Sequence, residues 1–398
     1  MGVQASADTQ AFDPQGGAFH YPLKPLSCED DNGIQKYPNI LLITVDSLRF
    51  DMLSAEVMPN MYRRAATAMQ FRNHISTSNG TRYGIFGMFY GLPGSYWAEA
   101  LESQRGAVLF DRLSDLKYQF YIFSSAALTN PEFDRTVFSR IRNELQTARS
   151  SLSVPERDRE ISERLLTAID QHSEDKPYFA FIFLDAPHAY ALPENFESPF
   201  KPRAEVMNYF ALDAETDPTS VLNLYKSTAY YEDQLMEQLF SRLEAKNKLH
   251  NTIVIFTSDH GQEFNDTGGN FWGHNSNFFP YQVQVPMLVW WPGREPGITD
   301  MPTSHEDLVP TLMNHALACT NDIADYSTGM DLFSDLSEDR VRFVESWSKK
   351  GMLYSNKVLE FDEMGIARVY DEKYQEIEEP SSVQVLRESL ERTSRFLK

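Results

Sequence analysis

Three runs of six almost wholly apolar residues constrain this chain more than any other feature: ILLITV (40–45), FAFIFL (179–184) and TIVIFT (252–257). Each is too short for a membrane span or a long helix, and none alternates polar with apolar positions. That is how strands buried on both faces of a parallel sheet read. Tyr118 to Phe123 and Pro286 to Trp291 are further strand candidates, and helical patterns lie between the runs at Pro59 to Met69, Pro155 to Asp170 and Val221 to Leu249. Alternating strand and helix predicts an α/β fold with a doubly wound, mostly parallel sheet.

After Gly329-Met330-Asp331-Leu332-Phe333 the pattern changes to short alternating runs at Arg342 to Glu345, Met352 to Leu359 and Ala367 to Tyr374, followed by a helical pattern from Ser382 to Leu397. These predict a small C-terminal antiparallel subdomain closed by a helix. Residues 1–38 are rich in Gly, Pro, Gln, Asp and Ser and read as an irregular extension. The expected organisation is an extension over 1–38, a core over 39–335 and a small β subdomain with its helix over 336–398. With 398 residues and 42% hydrophobic content, the chain is large enough for a well-buried core.

Formal net charge is −21, which disfavours nonspecific attraction to nucleic acid or anionic lipid, so an anionic substrate requires a local positive centre. No window is long and apolar enough to span a membrane, and the N-terminus lacks the apolar core of a signal peptide. As written, the chain reads as soluble. Cys28 and Cys319 allow at most one disulfide, and that count fits either redox compartment.

Open α/β sheets bind ligands beyond the carboxyl ends of their strands. The first run ends in Asp46, the second in Asp185-Ala186-Pro187-His188, and the third in Ser258-Asp259-His260-Gly261. Carboxylates and an imidazole at neighbouring strand ends suit a divalent cation such as Zn²⁺, Mn²⁺ or Mg²⁺. Each also has a plainer explanation: a helix N-cap for Asp46, a polar turn for Asp259-His260, a loop histidine for His188. The segment GQEFNDTGGNFWGHNSN (261–277) carries His274 back towards the same edge, as a further ligand or a phosphate contact, or simply as a solvated loop. Thr81, between Gly80 and an apolar run of helical periodicity, falls at a helix N-terminus, where it is either a cap or a hydroxyl placed to act on an anion. The aromatics near Phe271-Trp272 and Phe278-Phe279-Pro280-Tyr281 read first as core.

Taken together, these segments resemble the alkaline phosphatase superfamily, in the branch that holds sulfatases, lipoteichoic acid synthases and phosphoethanolamine transferases. NILLITVDSLRFDML resembles the opening strand with its metal acid and TIVIFTSDHGQEF the second metal motif. VPMLVWWPG, SHEDLVPTLM and TGMDLF resemble the closing elements, and the likeness spans about residues 38–335. Within that branch, SNGTRYGIFGMFYG is similar to the periplasmic domains of YejM/PbgA-type inner-membrane proteins of Gram-negative bacteria.

The resemblance implies a metal set of Asp46, Thr81, Asp259 and His260, with Thr81 also the nucleophile. His188 and His274 would contact the phosphoryl or leaving group. The Cys-x-Pro-Ser-Arg motif of sulfatases is absent, which points to phosphate rather than sulfate esters. Ser47 stands where many sulfatases carry a second acid, which implies one divalent ion rather than two. The implied setting is the periplasm, with attachment through a membrane region outside this chain. The implied substrate is phosphorylated or a lipid, with regulatory protein partners and no nucleic acid. The alternative implied role is a lipid- or protein-sensing domain that retains the hydrolase fold without catalysis.

Overall fold

The computed structural model describes residues 19–29, 37–380 and 382–397. Its centre is an eight-stranded sheet. The strands are β1 (Asn39–Val45), β2 (Met69–Phe71), β3 (Gln119–Ser124), β4 (Leu145–Thr147), β5 (Tyr178–Leu184), β6 (Thr252–Thr257), β7 (Leu288–Trp290) and β8 (Gly297–Thr299). They lie in the order β8-β2-β7-β6-β1-β5-β3-β4. The three apolar runs occupy the middle, where β1 pairs in parallel with both β5 and β6.

Both faces of the sheet are covered, so successive residues of β1 enter different cores. Ile40 and Leu42 join Phe86, Phe89, Phe110 and Phe179 on one side, packed against helix α2 (Thr81–Tyr90). Leu41, Ile43 and Val45 face the other side, against α3 (Val154–Gln171) and the long α4 (Thr219–Ala245). A strand buried in this way needs no polar alternation.

The expected helix over Pro59 to Met69 ends sooner: α1 covers Pro59–Ala65, and Met69–Phe71 becomes strand β2 because it pairs with β7 and β8. The run at Pro286 to Trp291 contributes β7, which is antiparallel to β6. Between β6 and β7 no long helix crosses the sheet, only two-residue strands and a four-residue helix, so the chain re-enters at the edge where β6 ended and runs back antiparallel to it.

The C-terminal sheet has five antiparallel strands in sequence order: β9 (Arg342–Glu345), β10 (Lys350–Tyr354), β11 (Lys357–Phe361), β12 (Ala367–Tyr370) and β13 (Glu376–Ile377). The expected run Met352 to Leu359 is split between β10 and β11 by Ser355-Asn356, with φ of 44° and 60°, a pair that builds a tight hairpin matched to strand twist. Helix α5 (Val383–Ser394) follows, capped by the Ser382 side chain.

Of the stretch 1–38, the described residues 19–29 pack against the core rather than standing clear of it. Phe19 and Tyr21 are buried among Tyr90, Tyr96 and Phe396. Cys28 is disulfide-bonded to Cys319, 291 residues away. No described helix is long and apolar enough to cross a membrane.

Candidate metal and phosphoryl-transfer site

The parallel register of the central strands builds the site. Thr44 on β1 lies opposite Thr257 on β6, and Val45 opposite Leu184 on β5, so the residues that follow emerge at one sheet edge. Ser47 turns the chain sharply there with φ 62°. Its amide donates to Asp259 Oδ1 at 3.0 Å and its hydroxyl to Asp46 Oδ1 at 2.9 Å. Behind it, the Tyr225 hydroxyl donates to the Ser47 carbonyl at 2.6 Å and accepts from the Arg49 amide at 2.8 Å. Arg49 is itself buried between Asp51 and Asp266.

Thr81 is the first residue of α2, after Gly80 in extended conformation. The helix sits close to the end of β6: a Cβ on Gly84 would lie 2.2 Å from the Asp259 carbonyl oxygen. The Ser76 hydroxyl donates to that same carbonyl. Thr81 Oγ1 thereby comes within 3.2 Å of His260 Nε2.

His260 donates from Nδ1 to the Gly261 carbonyl at 2.8 Å, which leaves Nε2 with its lone pair. Nε2 faces Asp46 Oδ1 at 3.6 Å and Asp259 Oδ2 at 3.5 Å. Burial pushes the imidazole down to about 3, so it is neutral. Burial raises Asp46 well above the usual carboxylate range, helped by the charge of Asp259, and raises Asp259 to about 6. Asp259 Oδ2 has no hydrogen-bond partner of ordinary geometry. Two carboxylates and an imidazole lone pair turned on one point are mutually unfavourable until a cation joins them. Their ligand atoms lie within 4.8 Å of one another, and the oxygen and nitrogen donors fit a divalent metal.

His188 and His274 stand next to this group. The ring of His274 is 4.4 Å from that of His260 and 5.6 Å from that of His188. His274 Nδ1 is 2.8 Å from Gln262 Oε1, and burial keeps the ring neutral. His188, whose side chain is 42% exposed, bonds through Nδ1 to Asp185 Oδ1 at 3.1 Å. The charge of Asp46 first, then the Asp185 contact, holds its imidazolium up to about 10 against the opposing effect of burial.

All six residues singled out in the sequence therefore gather at one edge. The structure adds others, and gives a place in the site to Asp185, read from the sequence only as a strand end. Asp185 ends its strand as Asp46 does, and with Asp46 and His188 it forms a second group of ligand-quality atoms within 4.8 Å. Asp158, inside α3, accepts the amides of Asp185 at 3.0 Å and Ala186 at 2.8 Å and so fixes the turn that carries His188. Against it lies Glu232 of α4, fully buried, with neither oxygen reached by an N–H or O–H donor. Burial raises both acids above the usual carboxylate range. At the rim, the guanidinium of Arg82 stacks on Trp347 at 4.1 Å, and that indole is 60% exposed. Trp347 arrives from the C-terminal sheet, which is tied to the segment before Thr81: the Glu345 amide donates to the Thr77 carbonyl at 2.9 Å and the Ser78 hydroxyl to the Glu345 carbonyl at 2.6 Å. Phe278, one of the aromatics near this loop, is fully buried.

A sulfatase family model matches residues 38–318, the span that contains all six residues singled out in the sequence. The chain belongs to the sulfatase family. Members of the family are metal-dependent hydrolases. Inner membrane protein YejM of Salmonella typhimurium is 25% identical over 81% of this chain and 48% of its own length. The chain thus spans about half the length of the curated relatives it matches. Among solved structures, an alkaline phosphatase superfamily protein from Vibrio parahaemolyticus superposes with a TM-score of 0.65 at 15% identity, covering 98% of this chain and 94% of that one. The C-terminal periplasmic domain of EptC from Escherichia coli, in complex with Zn, has a TM-score of 0.61 at 15% identity, over 81% of this chain and 93% of that one. These likenesses establish the alkaline phosphatase superfamily fold.

Proposed function

We propose that this sulfatase-family chain is a divalent-metal-dependent phosphoester hydrolase domain, and that it belongs to the periplasmic side of a Gram-negative inner-membrane protein with a phosphorylated, lipid-linked substrate. The observation that carries the chemistry is the Thr81 hydroxyl, 3.2 Å from His260 Nε2 at the edge of the Asp46–Asp259–His260 group. Sulfate-ester hydrolysis by a matured cysteine finds no support, because both cysteines are joined to each other by a disulfide. The periplasmic setting draws on the likeness to YejM and to the EptC periplasmic domain, and a disulfide is at home there.

Asp46, Asp259 and His260 would hold one divalent ion, with Thr81 beside it. Zn²⁺, Mn²⁺ and Mg²⁺ all suit these donors, and such an ion, when bound, lowers the pKa of a neighbouring hydroxyl and offsets charge on a phosphoryl group. Thr81 Oγ1 attacks phosphorus with its proton released to water, and the bond from phosphorus to the ester oxygen breaks. The N-terminus of α2 favours the negative charge carried by the phosphoryl group. His188, protonated, gives its proton to the departing oxygen. Water then attacks phospho-Thr81 and gives a proton to neutral His188, the bond from phosphorus to Thr81 Oγ1 breaks, Oγ1 takes a proton back from solvent, and phosphate leaves. His274, kept neutral, is placed as a hydrogen-bond partner for a phosphoryl oxygen.

Turnover of a phosphomonoester by the purified domain, with and without chelator and compared with Thr81→Ala, tests the reading. Chelator-sensitive turnover that Thr81→Ala abolishes supports it. Turnover unchanged in Thr81→Ala sinks the nucleophile assignment. A domain that binds metal yet turns nothing over fits the alternative, a lipid- or protein-sensing role on a retained hydrolase fold.

A further inference from the structure

Asn275 follows His274 at the lip of the catalytic edge, exposed and in the left-handed region with φ 67°. Asparagine tolerates that conformation better than most residues, which accounts for the backbone at position 275. The side chain needs a separate account. It packs on Gly80, the residue directly before Thr81: a Cβ on Gly80 would lie 2.4 Å from Asn275 Oδ1 and 3.4 Å from Nδ2. Gly80 is itself extended, with φ −163°, a conformation open to any residue, so glycine stands there to make room.

The carboxamide that fills this room bonds to nothing. No side chain caps α2, and among the described residues neither Asn275 Oδ1 nor Nδ2 has a hydrogen-bond partner. The other asparagines of the loop spend their carboxamides on holding it. Asn265 accepts the Asn270 amide at 2.8 Å and donates to the Ala214 carbonyl at 3.1 Å, and Asn270 accepts from Trp272 Nε1 at 3.1 Å. Asn277 donates to Glu263 at 2.6 Å and accepts the Phe279 amide at 2.9 Å. The backbone under Asn275 is nevertheless pinned. Its amide donates to the Asn79 carbonyl at 3.1 Å, the Ser276 amide to Gln282 Oε1 at 3.1 Å, and Lys349 Nζ to the Ser276 carbonyl at 3.4 Å. A fixed anchor carrying an unspent donor beside the hydroxyl is the arrangement of a preorganised site group.

We propose that Asn275 contacts the substrate, its Nδ2 donating to a non-bridging oxygen of the phosphoryl group that Thr81 attacks. The inference rests on the reading of Thr81 as the nucleophile of a phosphoester hydrolase. During transfer the negative charge spreads over three equatorial oxygens, and each gains from a donor already in place. His274 stands on the His260 side of Thr81, whereas Asn275 stands on the Gly80 side, so the two serve different oxygens. A carboxamide donates without changing its protonation state, and with no partner to hold it, its last torsion is free to turn Nδ2 towards the phosphoryl group.

Two variants separate the side chain from the backbone. Asn275→Gly removes the carboxamide and leaves a residue at ease with positive φ, and Asn275→Asp keeps size and backbone tolerance but replaces the donor with an anion. The domain is loaded with whichever of Zn²⁺, Mn²⁺ and Mg²⁺ it binds most tightly. Turnover of p-nitrophenyl phosphate should fall roughly 100-fold in Asn275→Gly, mainly in kcat, and further in Asn275→Asp, with the urea midpoint and metal content of the parent. Affinity for inorganic phosphate, read by titration calorimetry and independent of turnover, should weaken about tenfold or more in Asn275→Gly. Parental turnover and phosphate affinity in Asn275→Gly overturn the contact and leave the hydrolase reading standing. Full activity in Asn275→Asp also overturns it, as does turnover lost only in step with the urea midpoint or metal content, the mark of a residue that merely shapes the loop. A parent that binds phosphate without turning over the ester, and loses that affinity in Asn275→Gly, upholds the contact and sinks the hydrolase reading; a parent that does neither overturns both.

Discussion

Removing the Thr81 hydroxyl and removing the Asp46 or Asp259 charge are different injuries, and the metal tells them apart. Thr81→Ala deletes the proposed nucleophile but leaves two carboxylates and an imidazole in place, so metal content measured by mass spectrometry should stay near stoichiometric while turnover disappears. Asp259→Asn removes a proposed ligand whose Oδ2 has no hydrogen-bond partner of ordinary geometry, and metal affinity should fall by more than the roughly 10–100-fold typical of losing an outer-shell contact. Gly84 is fixed by space, since a methyl there would meet the Asp259 carbonyl at 2.2 Å. Gly84→Ala should destabilise the fold by about 1–3 kcal/mol in urea titration and, by pushing Thr81 off the strand end, reduce turnover beyond what its stability loss accounts for. At this scale the sequence was informative where a residue ends an apolar run, as at Asp46 and Asp259. It carried no signal for Asp158 or Glu232, because an acid in the middle of a helix usually faces water.

Among the secondary elements, the contact between α3 and α4 holds the turn that carries His188. Asp158 clamps the amides of Asp185 and Ala186, and Glu232 lies against it from the neighbouring helix, where burial raises both acids. Because burial raises these acids above their unfolded values, the folded state binds the proton more tightly than the unfolded chain. Stability from this pair is therefore present below the unfolded carboxylate pKa and is lost as pH rises towards the folded one, at about 1.4 kcal/mol per pH unit per proton. Glu232→Gln keeps a neutral donor beside Asp158 and removes the titration. Urea midpoints measured from pH 5 to pH 9 should decline less steeply in Glu232→Gln than in the parent, and parallel curves would exclude a shared proton. Element boundaries were read well where periodicity is long, as in α4, expected over Val221 to Leu249 and found at Thr219–Ala245. They failed at Met69–Phe71, where a three-residue strand follows directly on a helical pattern and only pairing with β7 and β8 distinguishes the two.

Across the whole molecule, two long-range ties close the fold. The Cys28–Cys319 disulfide fastens the described N-terminal segment to the far end of the core, across 291 residues. Reduction, or Cys28→Ser with Cys319→Ser, should lower stability by about 2–5 kcal/mol, read as a drop in calorimetric Tm. The second tie would be a metal at the proposed site: at a hundredfold excess over its Kd an ion bound only by the folded state adds about 2.7 kcal/mol, so chelation should lower Tm by an amount that grows with the metal previously present. The sequence by itself determined the α/β architecture, because unbroken apolar runs between helical patterns satisfy only a sheet covered on both faces. It also determined which residues sit at the strand ends. Only the tertiary structure decided that β7 runs antiparallel, that Cys28 meets Cys319, and that Asp185, Asp158 and Glu232 stand behind His188. Those outcomes depend on contacts between residues tens to hundreds of positions apart, and local pattern carries no record of which distant surface a side chain meets.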